Sequence, residues 1–300
     1  MKHGATLALP GGLPYRCVEC AAPVKRLDRG AIAVLGSAIT FGTYGVLGKW
    51  ALAAGVEPFA LLFWRFAAAA VILWLLAGLI KEQALPPRML PALAGLGVAY
   101  AAMSWAYLHT MQTAGVSYAV LLFYAYPVVV AVIERLHGRP LRFVRVAAIV
   151  LAMTGVVLLV HAPATPIAPL TLFIGICAAL AYGVYIFYGS GTLRGVPAMR
   201  ATSVILGTTT LVMLPFAAWS GITVPGAAAA FWVTLIALCV TTVPIGLLNI
   251  GMRKTGPAKA AILGTMEPLT AVVLAVIFLG EQLRGVQIAG AVLIAAATLL

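Results

Sequence analysis

The chain reads as long apolar runs divided by short polar breaks. Ten runs approach the twenty or so residues that a helix needs to cross a hydrocarbon layer. They cover residues 30–51, 58–79, 91–110, 116–135, 143–161, 168–189, 200–219, 228–249, 258–279 and 285–300. The separators hold Pro, Gly or charge, as in Gly55-Val56-Glu57-Pro58, His137-Gly138-Arg139-Pro140 and Gly195-Val196-Pro197. They are too short for a soluble domain. Backbone groups in lipid find no water to bond, so each run is predicted to be an α-helix. The alternating ten-residue segments of a membrane β-barrel are not seen. The fold class expected is an all-α polytopic membrane protein with ten transmembrane helices. Residues 1–29, with Pro10, Pro14 and Pro23 and without the apolar core of a signal peptide, are expected to form a cytosolic tail.

Composition narrows the function classes. Apolar residues make up 63% of the 300, and charged residues 9%, where a soluble domain carries about 25% charge. So much apolar surface cannot be hidden inside a soluble protein of this length. That excludes a soluble enzyme, a disordered chain and a disulfide scaffold. Cys177 and Cys239 lie in apolar runs and read as small core residues. Cys17 and Cys20 form a single C-x-x-C, one pair short of the four ligands of a structural zinc. No phosphate-binding G-x-x-x-x-G-K-[ST] loop occurs, so ATP hydrolysis is not expected. No metal and no cofactor are expected.

The formal charge of +12 would suggest a nucleic-acid partner in a soluble protein. Its placement says otherwise. Of 19 Lys and Arg, 16 fall in the tail and in the segments after the second, fourth, sixth and eighth runs. Lys49 and Arg284 fall on the other side, and Arg65 lies inside the second run. This positive-inside bias predicts cytoplasmic N- and C-termini. The basic excess is topological, and nucleic acid is not an expected partner.

The halves also match at a nearly constant offset. Gly42 pairs with Gly183, Thr113-Ala114-Gly115 with Lys254-Thr255-Gly256, and Tyr126-Pro127 with Glu267-Pro268, each 141 positions apart. Gly55 pairs with Gly195 at 140, and Gly138 with Gly280 at 142. Each copy then holds five spans, and an odd number inserts the second copy upside down. Inverted repeats are a signature of transporters that bind substrate between the halves. The expected units are 30–161 and 168–300.

In their order, spacing and duplication, several stretches resemble the EamA-like ten-helix exporters of the drug/metabolite transporter superfamily. They are Phe63-Trp64-Arg65-Phe66, Tyr124-Ala125-Tyr126-Pro127, the run from Glu267-Pro268-Leu269 to Leu279-Gly280-Glu281-Gln282-Leu283, and Gly290-Ala291-Val292-Leu293-Ile294. The long tail departs from that pattern. The resemblance implies a bacterial inner-membrane carrier for small organic molecules, often amino acids, moved outward. It also implies a cavity lined by spans 1, 3, 4, 6, 8 and 9. The expected partners are a small-molecule substrate and the lipid bilayer, with the protein a monomer or weak homodimer.

Chemistry inside the spans is sparse. Glu267 is a mid-span acid, costly to bury ionised, and is the proton-coupling or amine-binding candidate. Glu134 beside Arg135 reads as a membrane-boundary marker. Arg65 stays charged and can hold a carboxylate, or serve structure by bonding a loop acid such as Glu57 or Glu281. Its span lies outside the implied cavity, which favours structure. Pro127 and Pro268 recur at equivalent mid-span positions, free the carbonyls of Phe123 and Gly264, and are candidate hinges. Pro215 and Pro244 have no such partners and read as ordinary membrane-helix prolines. Tyr44, Trp105, Tyr124, Tyr182, Tyr185 and Asn249 are the candidate substrate-binding liners on the implied cavity spans. Such rings suit flat or amphipathic substrates and cationic amines. Gly42, Gly45 and Gly48 read as a helix-packing face, and His109 as a hydrogen-bonded interface histidine.

Three other readings compete. A membrane-embedded enzyme acting on lipid-linked substrates needs clustered catalytic His, Asp or Glu, which the chain does not supply. A channel needs a charged filter or symmetric assembly. A facilitative uptake carrier for vitamins or nucleobases shares the architecture and differs in substrate and direction.

Overall fold

The computed structural model describes residues 28–160, 166–219, 226–280 and 284–300. The expected tail through Arg26, the Cys17–Cys20 pair, Pro163, Glu281 and Gln282 lie outside them. Fourteen α-helices form among the described residues. They are α1 (Arg29–Gly42), α2 (Tyr44–Ala53), α3 (Pro58–Leu79), α4 (Leu90–Ala114), α5 (Val116–Phe123), α6 (Tyr126–Leu136), α7 (Phe143–Leu159), α8 (Pro169–Thr192), α9 (Ala198–Trp219), α10 (Ala227–Ile236), α11 (Val243–Thr255), α12 (Pro257–Gly264), α13 (Met266–Leu279) and α14 (Gly285–Leu299).

Joined in line, these make eight apolar helices long enough to cross a membrane. The protein is a multi-pass membrane protein. Ten spans were expected. The fifth and tenth correspond to α7 and α14, which have only 17 and 15 residues. At 1.5 Å per residue both fall short of the roughly 30 Å hydrocarbon thickness.

Four of the long helices are interrupted. α1 gives way to α2 at Thr43, whose N–H turns back to the Thr40 carbonyl at 3.2 Å. α5 stops at Phe123 and α6 starts at Tyr126, with Pro127 in its first turn. α12 stops at Gly264 and α13 starts at Met266, with Pro268 close behind. Between α10 and α11 the backbone widens into a π-helix over Ala237–Thr242. That turn sits just ahead of Pro244, whose ring would otherwise meet the Val240 carbonyl. Pro244 thus shapes its span, contrary to the expectation of an ordinary proline, whereas α9 stays helical through Pro215.

Glycine sets the corners. α4 ends at Gly115 (φ 90°) and α11 at Gly256 (φ 82°), and in each case a new helix begins at the next residue. Side chains rarely adopt that left-handed φ. Gly55, Gly138, Gly195 and Gly280 are the other positive-φ glycines among the described residues. All six fall in the sequence pairs separated by 140–142 positions.

Close crossings bind the bundle. α7 and α14 meet where Gly155 faces Gly290: a Cβ on Gly290 would lie 2.6 Å from both the Gly155 carbonyl and the Leu159 amide nitrogen. Gly42 lies under Thr270 of α13, and its Cβ would come within 2.7 Å. Gly45 has nothing within 4 Å, and Gly48 makes only ordinary contact with Tyr44. The expected three-glycine packing face therefore reduces to Gly42, because the helix breaks at Thr43 and the period of three no longer tracks one face.

Polar ties gather at the end that carries most cations. Glu82 accepts from the N–H groups of Met199 and Arg200 at 3.2 and 2.9 Å, capping α9. Asp28 caps α1 through Ala31 and lies 3.6 Å from Lys259. Arg253 donates to the Val196 carbonyl at 3.0 Å.

At a crossing this tight there is no side chain to yield. Gly290→Ala is expected to destabilise the protein by about 1–3 kcal/mol, the usual cost of overpacking. Gly207→Ala, in open space within α9, should be neutral or stabilising by up to about 1 kcal/mol. Thermal unfolding of the two purified variants in detergent checks the contrast.

Candidate functional site

The broken helices bring their aromatic residues to the middle of the molecule. Tyr126, at the start of α6, packs its ring 4.7 Å from Tyr182 of α8. Tyr182 stacks on Tyr185 at 5.9 Å and 6°, and both reach Tyr100 of α4. Phe123 joins Tyr107, Tyr124, Tyr126 and Tyr182 at 5.0–5.5 Å. One aromatic cluster thus spans α4, the α5–α6 break and α8.

Two charges border it. Glu267, in the first turn of α13, is half-buried and hydrogen-bonded to Tyr124. An acid there faces the positive end of the helix dipole. Arg65 of α3 lays its guanidinium 4.7 Å from the ring centroids of both Tyr44 and Phe66, a cation–π arrangement on two faces. Its Nε is buried without a hydrogen-bond partner. Its charge acts on Glu267, Tyr100 and Tyr107. Tyr44, Arg65, Tyr107 and Glu267 are all half-buried, whereas Tyr100, Tyr124, Tyr126, Tyr182 and Tyr185 are buried.

The break at Thr265 has a structural answer. Thr265 directs its N–H to Ile262 rather than Ala261. The Tyr126 hydroxyl takes up the Ala261 carbonyl at 3.0 Å. Its oxygen lies so close over Gly264 that a Cβ there would clash with it. The two broken spans are thereby tied to each other.

The sequence that builds this bundle of apolar helices matches a known family. The sequence model of the EamA-like transporter family fits residues 28–161 and again residues 169–300. The chain belongs to the EamA-like transporter family. It is 27% identical over 275 residues to an uncharacterized transporter of Archaeoglobus fulgidus, covering 90% of this chain and 95% of that one. A solved crystal structure superposes with a TM-score of 0.78 at 18% identity, over 90% of this chain and 94% of the other. That likeness speaks for the fold alone.

Within this EamA-like protein, the expected site residues divide. Tyr44, Tyr124 and Glu267 meet at the charged side of the aromatic cluster. Tyr182 lies inside it. Tyr185 and Asn249 are spent on each other: the tyrosine hydroxyl donates to Asn249 Oδ1 at 2.6 Å, and Asn249 Nδ2 donates to Thr202 at 2.9 Å. That chain ties α8, α9 and α11 with every partner buried. Trp105 stands apart on the opposite face of α4, stacked on His109 at 5.3 Å and near Phe216. Pro127 and Pro268 flank the two breaks. Glu134 closes α6, paired with Arg139 at 3.0 Å and Arg145 at 3.6 Å.

Sequence reasoning set Arg65 aside and passed over Tyr100, Tyr107 and Tyr126. Arg65, on a span outside the cavity that the resemblance implies, borders the aromatic cluster. Glu57 caps its own helix at Ala60, and Arg65 turns inward. The available signal was scarcity, since an unpaired arginine seven residues inside an apolar run rarely serves packing. Two depressions, of about 420 Å³ beside Trp74 and Arg200 and about 130 Å³ beside Thr113 and Tyr118, do not touch this site.

Removing the Tyr185 hydroxyl leaves a buried amide oxygen without its donor. Tyr185→Phe should cost about 1–3 kcal/mol of stability. Tyr44→Phe, which keeps the ring under Arg65, should change it by less than about 0.5 kcal/mol. Apparent melting temperatures in one detergent compare them.

Proposed function

We propose that this EamA-like protein is a secondary carrier that exports small organic metabolites, amino acids or related compounds, across the bacterial cytoplasmic membrane. It works by alternating access of two inverted five-helix halves, 30–161 and 168–300. In this reading α7 and α14 complete ten crossings, with both termini in the cytoplasm, as the cation bias requires.

The observation that carries the reading is a recurrence of crossings. Gly42 of α1 packs under Thr270 of α13, and Gly183 of α8 packs under Val129 of α6. Gly251 of α11 packs against Val34 of α1, and Gly175 of α8 faces Thr110 of α4. Each residue of one contact stands 141 positions from its counterpart in the other. The family match falling on the two segments separately supports the same division.

The exchange of halves is also unequal, as a carrier caught in one state requires. α12 packs on both α6 and α8, and α11 packs on α8, all toward the cation-rich end. The counterpart pairs α5 with α13, α5 with α1, and α4 with α1 make no comparable contact among the described residues. The cation-rich end is sealed and the opposite end is looser. That asymmetry, together with the half-buried Tyr44, Arg65 and Glu267, supports a site reached from the outside in this conformation. Glu267 is the proton-coupling candidate, and the breaks beside Pro127 and Pro268 are the places where the spans can bend.

Counterflow in proteoliposomes tests the function. Wild-type protein should accelerate saturable exchange of at least one compound in a panel of amino acids and related metabolites, relative to protein-free vesicles. An imposed proton gradient should drive it, and Glu267→Gln should reduce the gradient-driven rate at least tenfold. Exchange of no compound sinks the carrier reading. An unchanged gradient-driven rate in the variant removes the coupling role.

A further inference from the structure

We infer that the hollow between the end of α3 and the start of α9 binds an anionic phospholipid, with its phosphate on Arg200. The hollow has a volume of about 420 Å³ and is lined by Trp74, Leu75, Gly78, Leu79 and Arg200. Sites for small molecules usually enclose about 300–1,000 Å³. Four of the five lining residues come from the last turns of α3. Trp74 and Gly78 stand one turn apart on one face, as do Leu75 and Leu79. A Cβ on Gly78 would have nothing within 4 Å, so the missing side chain leaves the hollow open. Trp74, Leu75 and Leu79 are exposed on the outside of the bundle, where lipid chains meet them.

Arg200 is the charged member of the lining. It is half-buried, and its Nε donates to the Glu82 carbonyl at 2.9 Å. That bond fixes the guanidinium. Its two terminal nitrogens have no hydrogen-bond partner and no ion pair among the described residues. The Glu82 carboxylate does not answer them. Its two oxygens accept from the backbone N–H groups of Met199 and Arg200, at the positive end of α9. A guanidinium tethered at Nε and open at both terminal nitrogens presents the fork that holds a phosphate by two parallel bonds. The depth also fits a headgroup. α3 ends at Leu79, and the exposed Lys81 follows two residues later, at the cation-rich end. Trp74 lies five residues deeper, about 8 Å at the helical rise, where tryptophans sit at a membrane interface. Basic pockets between helices at such an interface suit anionic headgroups. Arg200 and Lys81 complement a net negative headgroup. A choline headgroup sets its ammonium against the same two cations. The apolar wall beneath takes the first stretch of an acyl chain, which a free phosphate lacks.

Native mass spectrometry of the full-length protein, released from detergent, tests this with dioleoyl phosphatidylglycerol, dioleoyl phosphatidylcholine and glycerol 3-phosphate. The wild type should bind its first phosphatidylglycerol about tenfold more tightly than phosphatidylcholine, the scale of a charge-assisted hydrogen bond. Excess glycerol 3-phosphate should not displace the lipid. Arg200→Gln keeps the backbone N–H that Glu82 holds and should lower the affinity for phosphatidylglycerol about tenfold. Gly78→Leu leaves every charge in place and fills the hollow. Its side chain enters open space, and leucine forms helix better than glycine, so this variant should fold and lose a similar factor. Arg142→Gln removes another exposed cation of the same end and should change the affinity less than twofold. Equal binding of the two lipids by the wild type overturns the inference. So do equal losses in Arg200→Gln and Arg142→Gln, the mark of diffuse charge attraction, and so does full affinity in Gly78→Leu. Displacement by glycerol 3-phosphate overturns the lipid as occupant and shows a site for free phosphate esters instead.

Discussion

A guanidinium or a carboxylate placed inside a bilayer has only the protein to answer it, and an unanswered charge there costs several kcal/mol. Arg65 and Glu267 impose that demand on this bundle. The guanidinium rests on Tyr44 and Phe66, and the carboxylate is met by Tyr124. Around these contacts gather the other tyrosines of α4, α6 and α8. The helix breaks follow the same logic. A break frees carbonyls, and the Tyr126 hydroxyl answers that of Ala261 at 3.0 Å. Irregular backbone is tolerated at membrane depth only where protein surrounds it. Placing the breaks beside the charges makes one polar centre serve both needs.

The outer parts of the bundle hold that centre by a different kind of contact. Glycines allow backbones to approach where α7 meets α14, where α1 meets α11 and where α4 meets α9. Such crossings are rigid because nothing between them can rotate away. The ties at the cation-rich end are of another sort, single hydrogen bonds and an ion pair involving Glu82, Asp28 and Arg253. Contacts of that strength can be exchanged during a transport cycle, whereas the glycine crossings serve as fixed axes. The proposed motion needs both.

Much of the architecture was legible in the residue string. The apolar runs fell within a few residues of the helices that form. The paired glycines were visible because a left-handed φ restricts the choice of residue at a corner. The breaks at Pro127 and Pro268 were visible because proline removes a donor. Facing was not legible. A helix that is apolar all round gives no sign of which side turns inward, so Trp105 and Tyr107 looked equivalent although they lie on opposite faces of α4. Arg65 was set aside because its span lies outside the cavity that the resemblance implies. Asn249 and Tyr185 looked like free polar groups, and each satisfies the other. The π-helix before Pro244 escaped notice because a lone proline without a repeat partner was read as an ordinary membrane-helix proline. The shortness of α14 was legible as well, since its apolar run covers only 285–300.

The account stands or falls on whether the two ends of the molecule open in opposition. Spin labels at positions 116 and 277, on exposed sites of α5 and α13, report the looser end. Labels at 136 and 259, on α6 and α12, report the sealed end. Distances between each pair are measured by pulsed electron resonance in liposomes, with and without a transported amino acid. The account predicts a second population in which the 116–277 distance shortens while the 136–259 distance lengthens. Distances that stay fixed, or that change in the same sense at both ends, would contradict it.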